Sequence, residues 1–220
     1  MILSSRAGAL LLLALLVVGL RAQNAAPRPN GPSNQAAARI HEGSVLHTLH
    51  LDPKDARASD RSVPHDFWRT FPEALKWCKD LWDSEETTRL IVHPGVYPTP
   101  IDLDNHRSPA ALIVEAAPGE RPVFDLAGMT NRAFLFAVRT HNLILRGFHF
   151  SNVGPDTRAL HFRRGRQILI DQCTGLTPRA IRLEQCDRIT FRRCGLGDGS
   201  PFLGAALSNQ NILVEEAPAP

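Results

Sequence analysis

The sequence predicts an all-β fold, a solenoid of stacked parallel coils of about 21–25 residues, with an α-helix capping its N-terminal end. Three observations predict it. The first is a repeat. Asn142-Leu-Ile-Leu-Arg-Gly-Phe, Gln167-Ile-Leu-Ile-Asp-Gln-Cys, Arg188-Ile-Thr-Phe-Arg-Arg-Cys and Asn211-Ile-Leu-Val-Glu-Glu-Ala start 25, 21 and 23 residues apart. Set under each other, they give apolar columns: Leu143, Ile168, Ile189, Ile212; then Leu145, Ile170, Phe191, Val214; then Phe148, Cys173, Cys194, Ala217. Each unit is too short to hold a βαβ crossover, so a strand, a turn and another short strand fill one coil. The second observation is an alternating segment upstream of each repeat. The third is an aromatic stripe of helical period ahead of the first coil.

The upstream segments are Ala133-Phe-Leu-Phe, Ala159-Leu-His-Phe, Ala180-Ile-Arg-Leu and Leu203-Gly-Ala-Ala. Alternation places Phe134 and Phe136, Leu160 and Phe162, Ile181 and Leu183, Gly204 and Ala206 on the inward face. The outward columns are then Leu135, His161, Arg182, Ala205 and Ala137, Arg163, Glu184, Leu207. Parallel neighbours lie about 4.8 Å apart, so equivalent side chains form ladders.

At these residues the chain resembles the right-handed parallel β-helix proteins of the pectin-lyase-like superfamily. The resemblance spans roughly Thr70 to Glu216. It includes Phe71-Pro-Glu-Ala-Leu-Lys-Trp and the strand and turn Ile91-Val-His-Pro-Gly-Val-Tyr. It implies the architecture. It does not single out an activity, because the superfamily holds lyases, hydrolases, esterases, epimerases and adhesins.

The N-terminus comes first in chain order. Met1 to Ala22 reads as a secretory signal, with Arg6 as the positive region, Ala9 to Leu20 as a short apolar run and Leu20-Arg21-Ala22 as the cleavage site. The run is too short for a membrane span of about 20 residues. Export to a periplasm or the exterior follows, with no membrane attachment after cleavage. Residues 23–40, rich in Ala, Pro, Asn and Gln, read as a flexible linker. Residues 41–66 read as an N-terminal extension on the solenoid. Within it Ser44-Val-Leu-His-Thr-Leu-His-Leu alternates, and it either lies along the coils or adds an edge to the first. His47 and His50 fall on opposite faces of such a strand, which argues against a joint metal site.

Residues 67–83 read as the capping helix. Phe67, Trp68, Phe71, Leu75, Cys78, Leu81 and Trp82 recur at spacings of three and four. Core packing is the first use of such a stripe, and a sugar-stacking platform the alternative. Residues 84–220 form the β-helix, with strands at Arg89–His93, Ala110–Ala116 and Pro122–Leu126 before the clear repeats. Ile144, Leu169 and Leu213 are apolar although alternation points them outward, so something covers that face. Residues 39–64 are the candidate cover. The last repeat strand is followed at once by Pro218-Ala-Pro, which predicts either a chain truncated at its C-terminus or an end covered by something else. An uncovered end would favour end-to-end self-association.

Net charge is only +3, and there is no basic run interleaved with aromatics, so nucleic acid is not an expected partner. Cationic side chains are nearly all arginine, since Lys54, Lys76 and Lys79 are the only lysines. Arginine suits bidentate contact with carboxylate or sulfate, although a coding bias gives the same count. Cys173 and Cys194 fall at one point of adjacent coils and are the disulfide candidate. An unbonded cysteine ladder inside the core fits equally well.

The resemblance also implies chemistry. In the lyases of this superfamily, acidic polysaccharide lies along an outer sheet. Basic residues neutralise its carboxylates, a base removes a proton, and calcium often assists. Here the outward face offers His161 and Arg182 as candidates for base and catalysis, with Arg163, Arg164 and Glu184 as substrate-binding candidates. The alternative is a solvated face with a cross-strand ion pair worth about 0–1 kcal/mol. The Asn–Glu–Glu calcium set, the lysine–arginine pair and the paired aspartates of related enzymes have no counterpart, so no metal site is assigned. The sequence therefore predicts an exported protein acting on acidic polysaccharide by β-elimination, a carbon–oxygen lyase or else a glycoside hydrolase. The alternatives are a non-catalytic carbohydrate-binding module and the N-terminal part of a longer enzyme.

Overall fold

The protein is seen in a computed structural model that describes residues 44–54, 66–83, 85–104, 107–130, 132–196 and 208–216. The expected signal, the linker and the last upstream segment with Gly204, Ala205, Ala206 and Leu207 lie outside them, as does Ala217.

The described chain is mostly parallel β-structure with one α-helix. In chain order the strands are β1 (His47–Leu51), β2 (Phe67–Trp68), then the helix α1 (Phe71–Asp83), then β3 (Thr88–Val92), β4 (Val96–Tyr97), β5 (Ile101–Asp104), β6 (Leu112–Ala116), β7 (Val123–Asp125) and β8 (Ala133–Val138). They continue with β9 (His141–Arg146), β10 (His149–Ser151), β11 (Arg158–Arg163), β12 (Arg166–Asp171), β13 (Ile181–Glu184), β14 (Asp187–Arg192) and β15 (Gln210–Glu215). Sheet A has the order β15-β14-β12-β9-β6-β3-β1-β2, sheet B β10-β7-β4, and sheet C β13-β11-β8-β5. From β3 to β11 successive strands visit A, B and C in rotation, and the strands of each sheet stack in sequence order. Among the described residues sheet B continues after β10 only as a bridge between His149 and Thr174.

Sheet A follows the repeat as read from the sequence. Leu143, Ile168, Ile189 and Ile212 are register partners, and so are Leu145, Ile170, Phe191 and Val214. Sheet C corrects the expected phase of one strand. Leu135, not Phe134, pairs with Leu160, and Ala137, not Phe136, pairs with Phe162. Leu135 and Ala137 are buried, and Phe136 faces outward. The cause is the corner that follows. Arg139, Arg164 and Gln185 are left-handed corner residues, with φ of 51°, 56° and 55°, each three residues before the next repeat. Counting back from that corner aligns Phe134 with Ala159 and Ala180. Aligning on the three alanines therefore misplaces β8 by one residue, and a slip of one exchanges the two faces.

The helix is shorter than the stripe. Phe67 and Trp68 pair with His50 and Leu51 as a sheet-A edge, so the aromatic run begins on a strand. The helix starts after Thr70, whose Oγ1 donates to Glu73 Oε2 at 2.8 Å in a Thr-x-x-Glu start. Phe71, Ala74 and Cys78 form its buried stripe. Helix α1 packs against β1, β2 and β3. Trp77 stays 46% exposed. β1 adds an edge to sheet A, the second of the two expected placements.

The core lies between the sheets. Phe124 sits at its centre, with Phe148 stacked at 4.4 Å and Phe134, Phe150 and Phe71 at 4.8, 5.3 and 5.5 Å. Each such aromatic ring removes about 150–250 Å² from water. Cys173 and Cys194 continue the Phe148 column as buried free thiols, and Cys78 and Cys186 are free as well. Their Sγ atoms donate to backbone carbonyls, Cys173 to Leu145 O and Cys194 to Ile170 O. Burial pushes the Cys194 thiol up to about 11. Outside sheet A, Ile113, Ile144 and Leu169 are buried in a second apolar cluster with Val45 packed against it. Val45 belongs to the segment expected to cover that face.

Candidate functional site

Two neighbouring regions concentrate the chemistry. One is the outer face of sheet C, and the other is the corner where sheet C turns into sheet A.

On the outer face, alternation leaves two columns pointing away from the core. Register gives Asp102, Phe136, His161 and Arg182 in one, and Asp104, Val138, Arg163 and Glu184 in the other. His161 does lie beside Arg182, and Arg163 beside Glu184. The side chains pair differently. Glu184 accepts from Arg182 Nε and lies 3.3 Å from His161 Nε2, rather than joining Arg163. Arg163 is exposed. Burial works against the Glu184 charge, but the hydrogen bond and charge of Arg182 outweigh it and hold its carboxyl below the usual range. His161 is half-buried, with the Phe136 ring 5.0 Å away. Burial pushes its pKa down, Glu184 pulls it up, and Arg182 pushes it down again, for a net lowering. The imidazole is therefore neutral near pH 7. Its Nε2 is buried and misaligned for a hydrogen bond to Glu184.

The corner holds the arginines. A pocket of about 390 Å³ is lined by Arg107, Arg139, His141, Arg164, Arg166 and Gln185. The stacked parallel strands place them. Arg139, Arg164 and Gln185 share one corner position, and His141 and Arg166 are register partners at the start of β9 and β12. Arg107 comes from the loop before β6, and Asn142 Nδ2 anchors that loop by donating to Ser108 O and Pro109 O, both at 2.9 Å. Arg164 Nε donates to Gln185 Oε1 at 3.0 Å, and Arg139 Nε is buried with no partner. Burial lowers the His141 pKa, and Arg166, Arg107 and Arg188 lower it further. The nearest acid by register is Asp187, opposite Arg166. It is engaged by Arg188 Nε at 3.2 Å and Asn211 Nδ2 at 2.9 Å.

Sequence reasoning reached Arg164 but did not group Arg107, Arg139, His141, Arg166 or Gln185 with it. A signal existed: residues at a fixed offset before each repeat stack at one corner. Strand alternation, the periodicity used, does not describe corners.

A third cluster is structural. Asp171, 1% exposed, receives Arg146, Arg192 and Arg193, with contacts as short as 2.7 Å from Arg192 Nη2. It belongs to a row of sheet A that alternates in sign: Glu115, Arg146, Asp171, Arg192, Glu215. His47 lies 2.6 Å from Glu86, and His50 Nδ1 lies 3.0 Å from His93 Nε2. His47 and His50 thus have separate partners.

Among the described residues no group of three or more His, Cys, Asp or Glu side chains is arranged to hold a metal ion. On the outer face Asp102 pairs with Arg132 at 2.8 Å and Glu184 pairs with Arg182, which leaves too few free carboxylates there to fit calcium. No helix among the described residues is long and apolar enough to cross a membrane. No protein-family profile, curated protein or solved structure matches the chain.

Proposed function

We propose that the chain is a secreted right-handed parallel β-helix protein of the pectin-lyase-like kind, and that it binds acidic polysaccharide across the outer face of sheet C. One observation carries the reading. On β11 and β13 the one outward carboxylate, Glu184, is held by Arg182, which leaves Arg163 exposed and uncompensated beside the corner arginines. A row of exposed guanidinium groups on a rigid sheet suits a chain of carboxylates or sulfates, because each group offers two parallel donors. The rotation of strands through three stacked sheets supports the architecture.

A second reading adds cleavage by β-elimination. The lowered pKa of His161 favours it, since a neutral imidazole near pH 7 is a competent base. His161 would take the proton beside the uronate carboxylate, the electron pair would form the double bond, and the glycosidic oxygen would leave and take a proton from water. Arg163 would stabilise the charge on the carboxylate. Because Nε2 is buried against Glu184, only Nδ1 is left for the role, which places binding ahead of cleavage.

The test is incubation of the chain with pectate, alginate, chondroitin and heparin, with and without calcium. Retention of the polymer without new ultraviolet absorbance from unsaturated ends establishes binding alone. Absorbance that is lost in His161→Gln establishes the lyase. Neither retention nor absorbance from a folded sample removes the proposal.

A further inference from the structure

The corner pocket carries a more specific assignment. Arg107, Arg139, Arg164 and Arg166 converge there with His141 and Gln185, and among the described residues no carboxylate lines the pocket. Like charges at this density repel one another, and in a fold without a ligand they are ordinarily dispersed or paired. Here the backbone imposes the convergence. Arg139 and Arg164 occupy left-handed corner positions with φ of 51° and 56°, a conformation that non-glycine residues rarely adopt. The buried, unpartnered Arg139 Nε is a donor without an acceptor. Arg139 also lines the pocket, and an oxyanion bound there offsets the converging guanidinium charges.

We infer that this pocket binds one oxyanion group, a sulfate or carboxylate, of an acidic glycan. Arg139 and Arg166 are its main ligands, Arg107 and Arg164 flank them, and Gln185 holds Arg164 in place by the 3.0 Å hydrogen bond to its Nε. The assignment deepens the polysaccharide reading. The outer face of sheet C receives the chain, and the corner fixes one charged group of it.

The same geometry makes binding proton-linked. His141 faces Arg166 on β12, Arg188 on β14 and Arg107 on the preceding loop, with Arg139 two residues away and Asp187 behind Arg166. The three arginine charges and burial disfavour the imidazolium. A bound anion offsets those charges and so favours it. Anion binding therefore draws a proton onto His141, and by reciprocity affinity rises as pH falls through the His141 midpoint.

Inorganic sulfate is the probe, titrated at constant ionic strength against chloride, with formate as the carboxylate arm. The expected result is saturable binding of one or both anions. Affinity should fall roughly tenfold in Arg166→Gln and in Arg139→Gln, the loss of one charge-assisted hydrogen bond each, and stay unchanged in Arg121→Gln. Stronger binding of sulfate than of formate points to a sulfated glycan, and the reverse to a polyuronate. In the wild-type chain, with no substitution needed, saturating sulfate should raise the nuclear magnetic resonance titration midpoint of His141. Absence of saturation, an equal effect in Arg121→Gln, or an unmoved His141 midpoint overturns the assignment. The glycan reading stands or falls separately. Sulfate binding without polymer retention keeps the pocket and removes that reading, while retention without saturable anion binding does the opposite.

Discussion

His161 Nε2 stands 3.3 Å from Glu184 Oε1, across the two neighbouring strands β11 and β13. The pair is not isolated, because Arg182 donates to the same oxygen. Glu184 is thus the one group that counteracts burial and Arg182 at the imidazole. In Glu184→Gln only the lowering influences remain, so the His161 midpoint should move further down. Nuclear magnetic resonance titration of the ring protons reads it. An upward shift contradicts the assignment of Glu184 as the partner.

The same histidine links stability to pH. Its folded pKa lies below the unfolded value of about 6.5, so the unfolded chain takes the proton more readily. Its destabilising effect is absent above that value and grows as pH falls below it. Melting temperature should therefore decline between pH 7.5 and 5.5, and His161→Gln should flatten part of that decline. A decline of unchanged slope in the variant would show that other groups are responsible.

Asp171 should be the most costly charged position. It is buried and neutralises parts of Arg146, Arg192 and Arg193 together. Burial opposes its ionisation, but the hydrogen bonds and charges of Arg192 and Arg193 prevail and lower its pKa. Its stabilisation is present above the ordinary carboxylate range and is lost as pH falls through the lowered value. Asp171→Ala leaves three guanidinium groups facing one another. It should cost about 3–5 kcal/mol, on the order of 10 °C in melting temperature. A cost under 1 kcal/mol, measured by urea unfolding, refutes the hub.

Two glycines separate strain from collision. Gly119 and Gly175 both have left-handed φ, of 76° and 78°. A Cβ on Gly119 meets nothing, whereas one on Gly175 would lie 2.0 Å from Phe150 O, on the strand β10 beneath it. Gly119→Ala should cost about 1 kcal/mol, and Gly175→Ala clearly more, because backbone must move. Equal unfolding free energies for the two variants would contradict the close approach of the Gly175 backbone to β10.

Much of this arrangement was legible in the sequence, and the reasons differ by element. The ladder from Leu143 to Ile212 was readable because the repeat is long and apolar on one face. The outward placement of His161, Arg163, Arg182 and Glu184 followed from alternation alone. The phase of β8 was not readable that way, since Phe134, Leu135 and Phe136 are all apolar and only the corner at Arg139 fixes the register. Of sheet B only β7 was read, as the strand Pro122–Leu126; β4 and β10 were missed because they have two and three residues, too few for a period. The Asp171 hub joins residues 25, 21 and 22 positions away; the aligned repeats put Arg146, Asp171 and Arg192 in one column, but strand alternation does not show that they converge on one carboxylate.

The measurement closest to the central claim is a binding titration of labelled acidic oligosaccharides, from heparin and from alginate, against the folded chain, with neutral dextran as the comparison. Run on the wild type, Arg163→Ala and an Arg139→Gln/Arg166→Gln double variant, it reads the outer face and the corner together. The account predicts saturable binding of at least one acidic ligand, none of dextran, and a loss of at least tenfold in each variant at unchanged melting temperature. Acidic ligands that bind no better than dextran, or bind the variants as well as the wild type, would contradict it.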